Sequence, residues 1–367
     1  MVKKVLILAE FSEKGGTKTF LEKLIRYNYE FGCENNILIE SYHKISSINN
    51  TCRKYNSKYS YIPTRTKIFY NPYLAIIYDL YIFFYYIKKE KYDLLIISNS
   101  SPWMFLIFNI LEEKTIYFGH SYPNQYLSSF YFLIKLIPKF FGESSKIITV
   151  SRFSKMHFIK YLGVKPSQIS VIYNSCIKHN FLKLNYNTTI DKVILTVGRL
   201  SNDKNPATWI KVVEKLCKIE PNVKFIWVGA NLYEKDSIMK IIIQKNLTQY
   251  VKIVEYIEDP SYYYQLASVY FQPSLLESHG IAVIDAMSYG IPCVVSNIGG
   301  LPESVINAES GFLLEPNDVN GFVSKIKEIF DDYSLNQALG QNGKLMVKKY
   351  FSENIQQKKI YNLYKEF

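Results

Sequence analysis

The segment from Gln272 to Gly290, with the sequence QPSLLESHGIAVIDAMSYG, contains residue types that could bind a phosphorylated substrate. Its pattern predicts a strand, a polar turn and then a helix that begins near Gly280. The first peptide N–H groups of a helix lack partners within the helix, and the helix dipole attracts anions to that end. The segment therefore predicts an anion site at the start of the helix, lined by His279, Gly280 and Ile281.

Two carboxylates accompany this predicted anion site. Glu277 lies directly before the helix, and Asp285 follows eight residues later, little more than one turn into the helix. From that position a carboxylate can still reach a group that lies across the helix N-terminus. The alternative interpretation is structural: Glu277 would be a loop carboxylate that interacts with the helix dipole, and Asp285 would be a solvated or capping residue.

Two cations occur where the apolar strand pattern of the second half begins, in the segment TVGRLSNDKNP. Arg199 directly follows a predicted strand and a glycine, and Lys204 lies just before Pro206, a residue suited to the first turn of a helix. Guanidinium and ammonium groups form strong charge-assisted hydrogen bonds with phosphate oxygens. The two residues therefore predict a diphosphate site beside Glu277.

The first half contains two weaker candidates. Gly15 and Gly16 follow the first predicted strand and open a helix at Thr17, so the backbone of this turn can approach a ligand closely. His120, in the sequence FGHSYP, follows another predicted strand, although a lone histidine is more often structural. Both candidates are predicted at the carboxyl ends of parallel strands, where open α/β sheets bind their ligands.

The elements that position these residues follow a regular alternation. Short apolar runs bounded by turn residues alternate with longer amphipathic stretches, which is typical of α/β proteins with parallel sheets. The predicted strands are Lys4–Ala9, Asn36–Glu40, Asp93–Ser98, Lys114–Phe118, Lys146–Val150 and Ile169–Ile172 in the first half, and Val193–Val197, Val223–Val228, Val251–Val254, Val269–Gln272 and Pro292–Ser296 in the second.

This alternation predicts an α/β fold of two Rossmann-like, doubly wound parallel-sheet domains that face each other across a cleft. We place the domains at residues 1–180 and 181–351, with a polar linker in 174–191 and a terminal helix at about 352–367 that packs back onto the first domain. A length of 367 residues suits two domains, and 48% hydrophobic with 21% charged residues excludes extended disorder.

The sequence has no feature typical of a transmembrane or secreted protein. The longest apolar stretch, Pro72–Ile87, contains Asp79 and is shorter than the roughly twenty apolar residues of a spanning helix. The lysines at the N-terminus are not followed by a signal-peptide cleavage site. The five cysteines are widely spaced and form no C-x-x-C pair, which indicates reduced thiols and no structural zinc. We therefore expect a cytoplasmic protein.

The net charge of +12 is distributed unevenly along the chain. Residues 1–180 contain 24 Lys and Arg against 12 Asp and Glu, whereas residues 181–367 contain 20 of each. Aromatic residues are also concentrated in the first half, with runs at Tyr78–Tyr86 and Phe130–Phe141, and three lysines extend the first run to Lys91. A basic, aromatic half favours an anionic membrane surface, and no nucleic-acid-binding module is recognisable. The alternative is that nucleotide bias explains the tyrosines and that the aromatic runs are core faces of helices.

The motifs resemble those of the retaining glycosyltransferases of family 4, which have the GT-B fold. The resemblance covers nearly the whole chain and is carried by EKGGTKTF, GHSYP, VSRFSK, VIYNS, VGRLSNDKNP, PSLLESHGIAVIDAMSYGIPCVVSNIGGLPE and GFLLEPND. Its most specific element is a Glu-x7-Glu motif, in which an aspartate takes the second place here. The resemblance implies that Glu277 and His120 contact the donor sugar and that Asp285 contacts the nucleotide ribose. The resemblance also implies that Arg199 and Lys204 contact the diphosphate of the donor. An aspartate is about 1.5 Å shorter than a glutamate, so its reach to a ribose is reduced.

The function implied by this resemblance is transfer of a hexose or an N-acetylhexosamine with retention of anomeric configuration. The donor would be a nucleotide diphosphate sugar, UDP-linked in preference to GDP-linked, and the acceptor a saccharide or lipid-linked saccharide in cell-surface polysaccharide synthesis. No metal or cofactor is expected: the sequence lacks an Asp-x-Asp pair, and Arg199, Lys204 and the helix N-terminus would stabilise the leaving diphosphate.

Two alternatives remain open at this point. One is a nucleotide-sugar epimerase or hydrolase on the same fold, which would consume the donor without an acceptor. The other is a degenerate partner subunit that binds a nucleotide sugar without reacting it. Arg199, Lys204 and Glu277 are all present, whereas a degenerate copy usually loses one such residue.

Overall fold

The computed structural model describes residues 2–10, 16–41, 45–62, 77–78, 80–98, 114–122, 145–176 and 192–367. Its contacts divide the chain into two units. The first unit is Met1–Tyr173 together with Gln356–Phe367, and the second unit is Asn174–Ile355. The sequence places the domain boundary after residue 180, seven positions later than the structure does. Residues 177–191, which include most of the predicted linker, lie outside the described residues.

The first unit contains a seven-stranded parallel sheet. The strand order is β3-β2-β1-β4-β5-β6-β7, so the winding of the chain reverses between the neighbours β1 and β4. Open α/β sheets bind ligands beyond the carboxyl ends of the strands at such a switch point. The strands are β1 (Lys4–Glu10), β2 (Glu34–Glu40), β3 (Lys58–Ile62), β4 (Leu94–Ser98), β5 (Thr115–Gly119), β6 (Ser145–Thr149) and β7 (Ile169–Val171).

Helices cover both faces of this sheet. One face packs against α1 (Gly16–Glu30) and α2 (Ser46–Lys54). The other face packs against α3 (Arg152–Leu162) and a helical segment over residues 77–78 and 80–87, called the aromatic helix below. The last residues of the aromatic helix, Phe83–Ile87, form a wider π-helical turn. Every residue of β4 is buried, as expected for a parallel strand that is covered on both sides.

The second unit repeats this architecture with six parallel strands. They are ordered β10-β9-β8-β11-β12-β13, so the switch point lies between β8 and β11. The strands are β8 (Lys192–Val197), β9 (Val223–Ala230), β10 (Val251–Glu255), β11 (Val269–Gln272), β12 (Cys293–Ser296) and β13 (Gly311–Leu314). The helices are α4 (Pro206–Ile219), α5 (Leu232–Gln244), α6 (Ser261–Leu266), α7 (Ile281–Ser288), α8 (Leu301–Ser304), α9 (Val319–Asp331) and α10 (Tyr333–Met346), which continues as a π-helical turn over Val347–Phe351.

The terminal helix α11 (Glu353–Tyr364) packs against the first unit. The Gln356 Nε2 group donates a hydrogen bond to the Tyr173 carbonyl oxygen at 3.0 Å. The hydroxyl of Tyr364 donates to Asn28 Oδ1 at 2.8 Å, and Ile360 is fully buried in the same core cluster as α1. The end of the chain is therefore an integral part of the first unit.

The predicted α/β fold with two doubly wound parallel sheets is confirmed. The bounds predicted for β11 match the structure, and the other predicted strands differ by a few residues at their ends. Two strands, β3 and β13, are not predicted from the sequence. β3 is an edge strand with exposed Lys58 and Ser60, so its apolar run is interrupted, and β13 has only four residues. Among the residues that the structure describes, no helix combines the length and apolar character that crossing a membrane requires.

Candidate functional site

The candidate site of the second unit lies at the switch point of its sheet. Gly198 and Arg199 follow the carboxyl end of β8, and Glu277 lies in the turn between β11 and α7. The two turns are joined directly, because the Asp203 carbonyl oxygen accepts hydrogen bonds from the N–H groups of Leu275 at 2.8 Å and Leu276 at 3.3 Å. Arg199 and Lys204, predicted to bind a diphosphate, thus lie at the same carboxyl edge of the second sheet as Glu277.

The central contact of this site is an ion pair between the Lys204 ammonium and Oε2 of Glu277. The two side chains are only 15% and 14% exposed. Gln272 Nε2 donates to the same carboxylate oxygen at 3.0 Å, and the Gln272 Oε1 atom accepts from the Tyr270 hydroxyl at 2.6 Å. Oε1 of Glu277 takes no hydrogen bond within the described part of the chain. The carboxylate is therefore fixed through one oxygen and has the other oxygen available.

The backbone of Glu277 is held by a glycine pair, Gly299 and Gly300. The Gly300 N–H donates to the Glu277 carbonyl oxygen at 3.0 Å. Gly299 has φ +57°, and a Cβ atom there would lie 2.0 Å from that same carbonyl oxygen. A Cβ atom on Gly300 would lie 2.2 Å from the Ser278 carbonyl oxygen. The sequence alone assigns these glycines no role, although a Gly-Gly dipeptide is a turn signal that can indicate one.

Lys204 is positioned by the turn that leads into α4. Lys204 ends a short 3-10 turn, Asn202–Lys204, and Pro206 is the first residue of α4, as the sequence predicts. Asn205 adopts a left-handed conformation with φ 56°, and its side chain accepts a hydrogen bond from the Thr208 N–H at 3.3 Å. The Lys204 side chain lies over Gly198, where a Cβ atom would be 3.6 Å from the lysine Cε.

Arg199 differs from Lys204 in its surroundings. Its side chain is exposed. It forms no ion pair or hydrogen bond with any residue that the structure describes. The guanidinium group at the end of β8 is therefore available to an anion from solvent.

Helix α7 begins at Ile281, directly after Gly280, where the sequence predicts it. Gly280 has φ +87° and provides no side-chain cap, so the first N–H groups of the helix receive no capping side chain. His279 is 1% exposed, and its ring packs edge-on against that of Phe351 at 5.4 Å. The imidazole of His279 is therefore packed in the interior of the second unit, and a contribution of this residue to the predicted anion site stays a prediction.

Asp285 is buried, with 3% exposure, in the second turn of α7. This burial contradicts the part of the alternative interpretation that makes Asp285 a solvated residue. The Tyr264 ring stacks on Tyr289 at 5.3 Å and on Tyr270 at 6.3 Å. Burial raises the pKa of all three phenols, and the nearby charge of Asp285 raises each of them further. The contact of Asp285 with a ribose stays a prediction.

The candidates of the first unit lie at the carboxyl edge of their own sheet. Gly16 is the first residue of α1, and Gly15 lies outside the described residues. His120 follows β5, and its Nε2 atom is 3.2 Å from the hydroxyl of Ser98 at the end of β4. Its ring packs edge-on against Phe20 at 4.6 Å, and burial lowers the pKa of His120 to about 4. At neutral pH this imidazole is therefore uncharged.

The functional roles of all these side chains stay predictions, including the contacts of Arg199, Lys204 and Glu277 with a donor. Among the described residues, no three His, Cys, Asp or Glu side chains are grouped so that they could hold a metal ion. Metal independence also stays a prediction.

We expect the stability of the protein to fall as the pH is lowered, in part because of His279. Burial lowers the pKa of this histidine to about 3, whereas an unfolded histidine titrates near 6.5. Well above pH 6.5, His279 is unprotonated in both the folded and the unfolded protein, so its burial does not lower the free energy of unfolding there. Between about pH 6.5 and 3 only the unfolded state is protonated, and the free energy of unfolding falls by up to about 1.4 kcal/mol per pH unit. Urea unfolding of wild type and His279→Gln at pH 7, 6 and 5 measures this, with the shallower decline expected in the variant. Parallel declines would contradict it.

Comparison with known families gives one match in each half of the chain. The model for glycosyl transferases group 1 matches residues 184–346, and the model for glycosyltransferase family 4 matches residues 15–176. The two matches together span most of the chain and contain the candidate residues of both units.

Two curated proteins illustrate the similarity. The chain is 28% identical over 227 residues to the capsular polysaccharide biosynthesis glycosyltransferase CapM of Staphylococcus aureus, an alignment that covers 60% of this chain and 59% of CapM. It is 27% identical over 274 residues to the UDP-Gal:alpha-D-GlcNAc-diphosphoundecaprenol alpha-1,3-galactosyltransferase of Escherichia coli, covering 68% of this chain and 69% of that enzyme. The similarity thus spans only part of each relative.

A solved structure extends the likeness to the whole chain. Anabaena Alr3699/HepE, determined in complex with UDP and glucose, superposes with a TM-score of 0.80 over 100% of both chains. The two sequences are 18% identical, so this likeness concerns the fold.

Proposed function

Because the chain belongs to the glycosyl transferases of group 1 and has the GT-B fold, we propose that it transfers a hexose or an N-acetylhexosamine from a nucleotide diphosphate sugar. The acceptor in this proposal is a saccharide or lipid-linked saccharide of a cell-surface polysaccharide, and the anomeric configuration is retained. The observation that carries the proposal is the Lys204–Glu277 ion pair at the switch point, beside Arg199 and the uncapped N-terminus of α7. A UDP-sugar is favoured, since the E. coli relative is a UDP-Gal-dependent enzyme by name.

The proposed chemistry uses fixed positive charge to stabilise the leaving group. The bond between the anomeric carbon and the diphosphate oxygen breaks, and its electron pair goes to the diphosphate. Arg199, Lys204 and the first N–H groups of α7 stabilise the developing negative charge, and each such group is typically worth about 3 to 4 kcal/mol. The acceptor hydroxyl attacks the anomeric carbon from the face that the diphosphate leaves, and its proton passes to an oxygen of the departing diphosphate. No metal ion takes part in this proposal.

Glu277 is proposed to orient the donor sugar. Lys204 and Gln272 both bind Oε2 of its carboxylate, which fixes the plane of the group. The remaining oxygen, Oε1, can accept a hydrogen bond from a sugar hydroxyl. His120 is proposed as a second sugar contact; its low pKa means that it would act as a neutral hydrogen-bonding group.

Asp285 is proposed to bind the ribose, and its burial favours a second candidate function. A short carboxylate with 3% exposure reaches a ribose only through a shift of α7 or a bridging water. If neither occurs, the donor is not held in the geometry that transfer requires, and the chain is a nucleotide-sugar-binding partner subunit without turnover. The presence of Arg199, Lys204 and Glu277 favours the enzyme.

The test of the proposed function starts with a thermal-shift panel of UDP- and GDP-sugars. A donor present at a hundred times its dissociation constant stabilises the folded protein by about 2.7 kcal/mol. The shift should be smaller for Asp285→Ala, because that variant lacks the proposed ribose contact. The best donor is then incubated with a lipid-diphosphate-linked N-acetylglucosamine, the acceptor type in the E. coli relative's name. Nucleotide release that requires the acceptor supports transfer. Release without it indicates a hydrolase, and a shift without release indicates a binding subunit.

Peripheral attachment to an anionic membrane at the cytoplasmic face is also part of the proposal. The excess of basic residues in the first half of the chain supports it. A lipid-linked acceptor would be anchored in that same membrane.

A further inference from the structure

The aromatic helix has large apolar side chains on two opposite faces. Tyr78, Ile82 and Ile87 are buried and pack on the first sheet. On the other side, five large apolar side chains are between 37% and 61% exposed and recur every three or four residues, so they share one face of the helix. These residues, called the exposed stripe below, are Ile77, Leu80, Tyr81, Phe84 and Tyr85.

An exposed stripe of this kind is unusual on a helix that packs against a core. Such a helix ordinarily presents polar residues to solvent, and contiguous exposed apolar surface marks an interaction site. The rings of Tyr81 and Tyr85 stack at 5.4 Å, so these two side chains form one aromatic surface within the stripe. It therefore fits a partner that offers an extended apolar phase.

Lysines border the C-terminal end of the stripe. The Lys89 ammonium lies 4.0 Å from the centre of the Tyr85 ring, and the Lys88 ammonium lies 5.5 Å from that of Phe84. These cation–π contacts hold positive charge at the rim of the aromatic surface. A partner that covers the stripe must therefore accept cations at its border.

A pocket of about 450 Å³ continues this basic border. The carboxylate of Asp93 in its wall accepts hydrogen bonds from the N–H groups of Lys3 at 2.8 Å and Lys4 at 2.9 Å, which lowers the pKa of Asp93. The negative charge of Asp93 is thus stabilised by two backbone N–H groups. The lysine side chains of the pocket form no ion pair with any other residue that the structure describes. The charged residues that line it, called the lysine pocket below, are Lys3, Lys4, Lys88 and Lys91 with Glu90 and Asp93.

The exposed stripe and the lysine pocket form one continuous surface. Lys88 contacts Phe84 of the stripe and also lines the pocket. The aromatic helix ends shortly before β4, and Lys3 and Lys4 lie at the start of β1, so the pocket is at the amino edge of the sheet. This is the edge opposite to that of Gly16 and His120, and the candidate site is not part of the surface.

We propose that the exposed stripe and the lysine pocket dock the protein on a bilayer that contains anionic phospholipid. The stripe lies at the boundary between headgroups and acyl chains, and the lysine pocket binds headgroup phosphates. This inference rests on the proposed peripheral attachment and assigns the surface that provides it. Tyrosine and phenylalanine flanked by lysine suit a membrane interface, where an apolar phase and negative charge occur together. A protein partner would need an apolar surface as long as the stripe, with negative charge beside it.

The test is co-sedimentation of the full chain with phosphatidylcholine vesicles, with and without phosphatidylglycerol, at low and high salt. The stripe variant is Tyr81→Ser/Phe84→Ser/Tyr85→Ser, and the pocket variant is Lys3→Gln/Lys4→Gln/Lys88→Gln/Lys91→Gln. Matched controls change exposed residues of the second unit: Ile243→Ser/Tyr262→Ser/Tyr333→Ser, and Lys211→Gln/Lys218→Gln/Lys240→Gln/Lys348→Gln. The thermal unfolding midpoint of each variant is recorded without donor, to show that it is folded.

Wild type is expected to bind the anionic vesicles, and high salt should weaken binding steeply because the attraction is screened. Each of the two variants should bind at least about tenfold more weakly, and the controls should bind like wild type. If wild type binds and either variant binds equally well, the assignment of this surface is wrong while peripheral attachment stands. If wild type binds neither vesicle at low salt, the proposed attachment fails together with this inference. Neither result bears on sugar transfer.

Discussion

Replacing Glu277 by glutamine is expected to lower the rate of sugar transfer by at least about 100-fold while the protein stays folded. The substitution retains the length of the side chain and removes its negative charge. Lys204 keeps an oxygen acceptor, so the fold around it is preserved, but the sugar hydroxyl loses the carboxylate that orients it. The rate is measured as nucleotide release at saturating donor and acceptor.

The matched control for this variant is Glu255→Gln. Glu255 also pairs with a lysine of the second unit, Lys235, at 2.9 Å, but its side chain is 46% exposed. Exposed ion pairs contribute little to stability, so this variant should transfer sugar within about twofold of wild type. Activity of Glu277→Gln within about threefold of wild type would exclude Glu277 from the reacting site.

Replacing Gly299 by alanine is expected to impair folding and donor binding together. A left-handed φ of +57° costs a residue with a Cβ atom about 1 to 2 kcal/mol. The added Cβ would also lie 2.0 Å from the Glu277 carbonyl oxygen, so the backbone must move apart. Overpacking of this kind typically costs a further 1 to 3 kcal/mol or so. Urea unfolding and the donor-induced thermal shift measure the two effects.

Gly32→Ala is the control that separates backbone strain from collision. Gly32 has φ +76°, and a Cβ atom there would meet nothing within 4 Å. This variant should therefore lose only the stability that the left-handed conformation costs, and it should bind the donor like wild type. Equal destabilisation by the two substitutions, with donor binding retained in both, would show that the Gly299 turn does not position Glu277.

The local sequence pattern is sufficient to predict most of the strands and helices of the fold. Central parallel strands are buried on both faces, so β1, β4 and β11 appear as uninterrupted apolar runs. β3 lacks that property because it lies at the edge of the sheet and alternates exposed with partly buried residues. The start of α7 can also be predicted from a local signal, since Gly280 provides the left-handed residue before the helix.

The direction of a side chain depends on contacts that are distant in the sequence, and such contacts have no local pattern. His279 is adjacent to the predicted anion site, yet its ring packs on Phe351 from the far end of the second unit. Asp285 keeps the spacing of the family motif, but it is buried and lies close to tyrosines from α6, β11 and the residue after α7. The same limit applies to Gly299 and Gly300, whose role appears only once the turn lies against Glu277.

The return of α11 to the first unit has a consequence for synthesis of the chain. Residues Gln356–Phe367 complete a core whose other members lie before Tyr173. On the ribosome most of the first unit is therefore made before the second unit, and it lacks one of its helices until residues Gln356–Phe367 have been synthesised. During that interval the face of α1 that includes Tyr27 and Asn28 has no covering helix. Of the two units, the one whose synthesis starts first thus receives its last helix only after the other has been made in full.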